Sequence, residues 1–287
     1  MKIAAMVILY HPCQETIDNI NSYYDYADKI YVFDNTEQQT ILKDQLLLQT
    51  KISYHHNGRN EGIAKRLNEA AHLCIADEFD WLMLMDQDSG FTEPMIKNYL
   101  QSFHQYKCTK NIAMFGVNFE QDIQADLLPC TPVFSTELIT SGTLLNLSLF
   151  QKIGGFNENL FIDAVDHEYT IKSLLAGYKI VQFPYILLTH QIGTLVKRAS
   201  IKTLFLIKKT KKLHSPLRCY YVYRNNLYLQ QKYKNTDVIN MQKLNKISKS
   251  IIYTTLYYGR NSFKLMQYIF QAKKDFKDNK MGKYSDN

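Results

Sequence analysis

Asp86 and Asp88 stand one residue apart behind an unbroken apolar run, Trp81 to Met85, in the stretch WLMLMDQDSGF. Two carboxylates at that spacing, where a strand gives way to a turn, can converge on one divalent cation and leave positions open for phosphate oxygens. An Asp-x-Asp in a surface loop is common and by itself means little. The apolar run changes that, because a short run buried on both faces belongs to a parallel sheet covered by helices, and ligands bind such sheets at the carboxyl ends of their strands.

Four other places carry groups that could act with this pair. In FIDAVDHEY, Asp163, Asp166 and Glu168 open a helix. Acidic residues favour helix N-termini through the dipole alone, yet one of these carboxylates could serve as general base toward a hydroxyl. His190 ends the strand YILLTH, either as a third metal ligand or as an internally satisfied histidine. In NEGIAKRLNEA, Asn60 and Gly62 precede Lys65 and Arg66 at a strand-to-helix junction, where free N–H groups and a cation could meet an anion, or where a plain helix simply begins. Asp34, at the end of KIYVFD, could accept a hydrogen bond from a base or ribose.

The elements that must position these groups follow from hydrophobic period and punctuation. Strands are expected over Ile3–Tyr10, Lys29–Asn35, Lys51–His56 and Trp81–Met85, with helices over Gln14–Ala27 and Ile63–Ala76 and a short helix between the second and third strands. Ala64, Leu67, Ala71 and Cys74 share one face of the second helix. Alternating β and α argues for a mostly parallel sheet wound with helices. Residues 111–150 read as irregular and strand-rich, with a strand over ELITSGTLLN and a short helix closing at Gly154 and Gly155. A helix over Val165–Ala176, a strand YKIVQFP and a second strand YILLTH follow. From about Ser200 the chain reads as helical, basic and tyrosine-rich. This sets a boundary near 195 between an α/β region, residues 1–195, and a C-terminal helical region, residues 196–287. The first region divides into an alternating β and α part, about 1–110, and an irregular, strand-rich part, about 111–195.

Composition bounds the function classes. The 287 residues, 46% of them hydrophobic, can bury one sizeable core and a smaller appendage. The five cysteines form no C-x-x-C pair, which fits a reducing compartment and gives no metal cluster. The opening MKIAAMVILYHP stops at His11 and Pro12 without a small-residue cleavage site, so it reads as a first strand and not a signal peptide. No run approaches the length of a membrane span, so the expected location is cytoplasmic, at most peripheral to a membrane. The net charge of +7 hides an asymmetry. Residues 191–287 hold 21 Lys and Arg against 4 Asp and Glu, and residues 1–190 hold 13 against 23. A basic region interleaved with Tyr, Phe and Leu suits an anionic membrane surface or a diphosphate-bearing acceptor, ahead of a plain solvated surface; nucleic acid ranks last for want of a motif.

A dinucleotide oxidoreductase is disfavoured, since LYHPCQE stands where a G-x-G-x-x-G would follow the first strand. A haloacid-dehalogenase-like phosphatase would carry its D-x-D on the first core strand, whereas three expected strands precede this one. Taken together, VILYHP, VFDNT, NEGIAKRLN, MDQDS, GGFNENLFIDAVDHEY, THQIG, YYVYRNN and KDFKDNKMGKY resemble, in number and order, a GT-A glycosyltransferase of family 2, and within it the bacterial rhamnosyltransferase branch.

That resemblance implies an α/β GT-A fold, Rossmann-like, with a C-terminal basic helical extension. It implies inverting, metal-dependent transfer of L-rhamnose from dTDP-L-rhamnose to a lipid-linked oligosaccharide in capsule or cell-wall polysaccharide synthesis, on the inner face of the membrane. Asp88 would ligate Mg²⁺ or Mn²⁺, with Asp86 on ribose or metal and His190 a further ligand. Tyr10, Asp34, Asn60, Gly62, Lys65 and Arg66 would meet the donor. Asp166 would be the base, and Asp163 and Glu168 would orient the acceptor or the helix. Leu67 stands where many members carry Arg, and Leu9-Tyr10-His11-Pro12 replaces the more usual T-Y-N-P. UDP-galactofuranose, UDP-glucose or UDP-galactose as donor, or a catalytically silent membrane scaffold, are the alternatives.

Overall fold

The computed structural model describes residues 1–119, 129–190, 195–198, 206, 208–238, 241–259 and 261–285. Two compact units emerge: Met1–Glu158 with Val165–Gln191, and Asn159–Ala164 with Ile192–Asn287.

The first unit runs β1 (Ile3–Leu9), α1 (Glu15–Tyr24), β2 (Lys29–Asp34), α2 (Lys43–Leu47), β3 (Ile52–His56), α3 (Ile63–Ala76), β4 (Trp81–Asp86) and β5 (Ser89–Gly90). It continues through α4 (Glu93–Gln105), β6 (Ile112–Phe119), β7 (Val133–Phe134), β8 (Thr143–Asn146), α5 (Leu147–Ile153), α6 (Val165–Leu175) and β9 (Lys179–His190). The strands form one mixed sheet in the order β3-β2-β1-β4-β8-β6-β9-β5, with β7 beside β9. The first four pair in parallel, as do β6 and β9; β8 runs antiparallel to both its neighbours. The mostly parallel sheet wound with helices that the sequence predicts is therefore observed.

Burial explains the strand assignments. Every residue from Trp81 to Met85 is buried, so the apolar run of β4 is covered on both sides, each such side chain contributing about 1.5–3 kcal/mol. Ala64, Leu67, Ala71 and Cys74 of α3 are fully buried, forming the inner stripe of that helix. An aromatic layer continues the core, with Trp81 edge-on to Phe103 at 5.0 Å and Phe115 stacked on Phe183 at 5.5 Å.

Three elements differ from the sequence reading. The strand expected over ELITSGTLLN shrinks to Thr143–Asn146, because Gly142 takes a left-handed φ of +75° and turns the chain just before it. The strands YKIVQFP and YILLTH are one strand, β9, whose register against β6 shifts between Val117 and Asn118; there the Asn118 amide donates to the Pro184 carbonyl at 2.9 Å. Helix α4, with Pro94 in its first turn and Ile96, Tyr99 and Phe103 buried at helical spacing, is absent from that reading.

The second unit contains an antiparallel hairpin, β10 (Leu195–Arg198) with β11 (Lys209–Lys212), and three helices, α7 (Pro216–Lys232), α8 (Met241–Tyr258) and α9 (Ser262–Lys277). Of the helical stretch expected from about 200, residues 199–205 and 207 lie outside the described residues. The expectation is corrected at Lys209–Lys212, which has no apolar 3.6-residue period and pairs as a strand; among the described residues, helix in this unit begins at Pro216, where the Ser215 hydroxyl accepts from the Arg218 N–H at 3.1 Å. Tyr220, Tyr221 and Ala272 form this unit's core with Phe161, Tyr268 and Tyr284. Among the described residues, no helix is long and apolar enough to cross a membrane.

Candidate active site

β4 delivers Asp86 and Asp88, both half-buried, to a two-residue turn at the carboxyl end of the central strands. The residue between them fixes that turn. Gln87 accepts from the Tyr10 N–H at 2.8 Å, donates to the Tyr10 carbonyl at 3.1 Å, and its own carbonyl accepts from Asn19 at 3.0 Å. The Asp86 N–H donates to Ser141 Oγ at 3.1 Å. Behind the turn lies Tyr23, fully buried with no hydrogen-bond partner for its hydroxyl; burial first, and the Asp86 carboxylate second, push its ionisation far upward. The main chain of His190 pairs with Ser89 across β5 and β9, next in sequence to Asp88. The side chain of His190 lies outside the described part of the structure.

At the neighbouring strand ends, two expectations are corrected. Asp34 is fully buried, and its carboxylate accepts from the Thr36 N–H (2.8 Å), the Thr40 N–H (3.1 Å) and the Tyr54 hydroxyl (2.6 Å). It builds the loop after β2 and is not presented to a base or ribose. Arg66 is likewise buried, its guanidinium donating to Asn35 (2.8 Å), Asn57 (2.7 Å) and Glu69 (2.7 Å), so it braces the loops instead of waiting for a diphosphate. Lys65 is half-exposed and paired with Glu61 at 2.8 Å. Asn60 accepts from the Gly62 N–H at 3.0 Å, and Gly62, at φ +82°, starts α3 with no side chain capping its first turn. Tyr10 is exposed, its ring 4.3 Å from that of His11.

The acidic motif divides similarly. Asp166 is half-buried in the first turn of α6 and accepts from the His167 N–H at 2.8 Å. Glu168 is fully buried, with Lys172 at 3.4 Å one turn along the same helix, so of the two expected roles, orienting the acceptor or the helix, its contact is that of the second. The loop before α6 is held by Asn68, which exchanges hydrogen bonds with Phe156 and donates to Glu158 at 2.8 Å, all within the first unit.

Asp163 belongs to the second unit, where Arg218 grips its carboxylate from Nε and Nη2 at 3.0–3.3 Å. The backbone here is strained, with left-handed φ at Phe161 (+48°), Asp163 (+64°) and Ala164 (+64°). Asn225, fully buried, donates to the carbonyls of Leu160 (2.8 Å), Ile162 (2.8 Å) and Asp163 (2.9 Å).

No protein-family model matches the chain. It is 28% identical over 276 residues to the dTDP-rhamnosyl transferase RfbF of Shigella flexneri, covering 88% of this chain and 87% of that one. Among solved structures it superposes on the mannosyltransferase PcManGT of Pyrobaculum calidifontis, bound to GDP-Man and Mn²⁺, with a TM-score of 0.60 at 11% identity, over 97% of this chain and 88% of that one. The chain shares the GT-A fold of that mannosyltransferase. S. aureus TarS with UDP-GlcNAc also shares the fold, at a TM-score of 0.54 and 14% identity, over 96% of this chain and 80% of that one.

The chain's own residues fit a divalent metal. Asp86 and Asp88 are hard oxygen donors at a pinned strand-end turn, a set that suits Mg²⁺ or Mn²⁺ when phosphate oxygens and water complete the shell. Among the described residues, no group of three His, Cys, Asp or Glu is placed to hold an ion.

Three side chains that hold turns and loops in place escape sequence reasoning. Gln87 looks like a mere spacer in the Asp-x-Asp pattern, although a long amide between two carboxylates is a ready clamp. Arg224 and Asn225 stand in the YYVYRNN segment with nothing local to give them a role. Consecutive polar residues inside a tyrosine-rich helix are the signal, since buried polar groups persist only when hydrogen-bonded.

Proposed function

We propose that the chain is a glycosyltransferase that moves L-rhamnose from dTDP-L-rhamnose to a hydroxyl of a lipid-linked saccharide, with inversion, in capsular or cell-wall polysaccharide synthesis. The observation that carries the reading is the Asp86-Gln87-Asp88 turn, clamped to the end of β1 through Tyr10. The donor rests on the likeness to the S. flexneri rhamnosyl transferase.

In this reading Asp88, with Asp86 beside it, holds Mg²⁺ or Mn²⁺, which when bound offsets the charge that grows on the departing diphosphate. Asn60 and Gly62 shape the uncapped start of α3, where peptide N–H groups and Lys65 favour the donor's negative charge. Tyr10 offers an exposed ring at the end of β1 for the base. Asp166 accepts the proton of the acceptor hydroxyl as that oxygen bonds to the sugar's anomeric carbon. The bond from that carbon to phosphate oxygen breaks, and dTDP leaves with the electron pair. Attack opposite the leaving group gives inversion. Asp163, held by Arg218, supports the loop that leads into α6. The basic second unit suits attachment at an anionic membrane surface from the cytoplasmic side.

Asp166→Asn tests the base assignment. It keeps shape and removes the proton acceptor, so transfer should fall by about 10²–10⁴-fold while dTDP-rhamnose binding stays unchanged. Transfer at the wild-type rate would remove Asp166 from the role.

A further inference from the structure

We infer that the outer face of α9 is a docking surface for an anionic lipid bilayer. This deepens the membrane-surface reading above and rests on it. α9 packs inward through Leu265 (1% exposed), Ala272 (0%) and Asp275 (5%). On the opposite face Phe263, Met266 and Phe270 recur at helical spacing with 79%, 41% and 68% of their surface in solvent. One more turn along that same face stand Lys273, Lys274 and Lys277, all exposed.

Exposed phenylalanines of this degree, two on one stripe, are not accounted for by folding of the unit, since they contribute nothing to its core. The charge is segregated as well. The acid within the helix, Asp275, is turned inward, accepting from the Tyr220 hydroxyl at 2.7 Å and from Gln271 at 2.8 Å, so no carboxylate interrupts the outer face. Apolar rings that enter the acyl boundary beside lysines that meet lipid phosphates are the two components of an in-plane interfacial helix. A protein partner would need a complementary acidic and apolar surface; a leaflet rich in anionic lipid offers both properties over any area. The occupant is therefore the bilayer.

The test is flotation of the full-length protein with vesicles of phosphatidylcholine alone and with mixed phosphatidylcholine and phosphatidylglycerol vesicles, at low and high salt. The wild type should float with the mixed vesicles only and should dissociate as salt rises. Lys273→Gln/Lys274→Gln/Lys277→Gln should weaken binding by roughly a hundredfold, following the usual gain per basic residue near an anionic surface. Phe263→Ser/Phe270→Ser should abolish stable flotation while leaving the thermal midpoint unchanged, because both positions are exposed. Failure of the wild type to float, or equal flotation of both variants and wild type, would overturn the inference. So would a concentration-dependent dimer that the Phe→Ser pair dissolves without any vesicle binding, which would make a second copy the occupant. Flotation needs neither donor nor acceptor, so its failure leaves the proposed transfer reaction standing.

Discussion

Asn68 and Phe156, 88 residues apart, exchange two hydrogen bonds: the Phe156 N–H donates to Asn68 Oδ1 at 2.7 Å, and Asn68 Nδ2 donates to the Phe156 carbonyl at 2.9 Å. One side chain on α3 thereby satisfies both backbone groups of the loop that leads toward the acidic motif. Gly155 beside it has φ +67°, and a Cβ there would sit 3.0 Å from Asn68 Oδ1, so the close approach needs glycine. Asn68→Ala leaves two backbone groups without partners and should destabilise the protein by about 2–4 kcal/mol. Denaturant unfolding measures this directly; a loss below about half a kcal/mol would show the loop holds itself.

Asn225 does comparable work in the second unit. Three left-handed non-glycine residues in four cost of order 1–3 kcal/mol each, and three hydrogen bonds from one amide return only about 1 kcal/mol apiece. The strain, about 3–9 kcal/mol in all, equals or exceeds the roughly 3 kcal/mol those bonds return, so the loop depends on its tether. Asn225→Leu should relax the loop and lower kcat by on the order of a hundredfold through misplacement, while leaving KM for the donor nearly unchanged. Rising KM at constant kcat would assign Asn225 to donor binding instead.

A pH effect follows from His55, which stacks on Phe33 at 4.8 Å and lines a pocket of about 650 Å³ with Tyr54, His56, Arg66 and His72. Burial first, then the charges of Lys29 and Arg66, lower its pKa below the ordinary histidine value. The folded protein thus resists a proton that the unfolded chain accepts, so His55 adds stability above about pH 6.5 that is lost as pH falls through and below that value. Thermal midpoints of wild type and His55→Phe, measured from about pH 8 to about pH 5, should converge or cross on the acid side. Parallel curves would mean His55 titrates normally.

How much of this is legible in the sequence depends on whether local pattern or long-range contact decides. β4 and α3 are readable to within a residue because period and apolar runs are local. The Asp86–Asp88 turn is readable because a carboxylate pair directly after a buried strand is placed by that strand at the ligand-binding edge of the sheet. Asp34, Arg66 and Glu168 mislead for one shared reason. A charged residue at a strand end or in the first turn of a helix looks the same in sequence whether it faces ligand or is consumed by Tyr54, Asn35, Asn57 or Lys172, and the first three of those partners come from other elements. The hairpin at Lys209–Lys212 is invisible to a local reading because its pairing with Leu195–Arg198, not its composition, makes it a strand.

The most direct test of metal-assisted rhamnosyl transfer is the thermal midpoint with dTDP-rhamnose, UDP-glucose, UDP-galactose, UDP-galactofuranose and GDP-mannose, each with and without Mn²⁺, in wild type and Asp88→Asn. A ligand that binds only the folded state raises the midpoint. A rise with dTDP-rhamnose that requires Mn²⁺ and disappears in Asp88→Asn is the predicted result. A metal-independent rise, one that persists in Asp88→Asn, or one confined to a different nucleotide sugar would contradict the proposed site or the proposed donor.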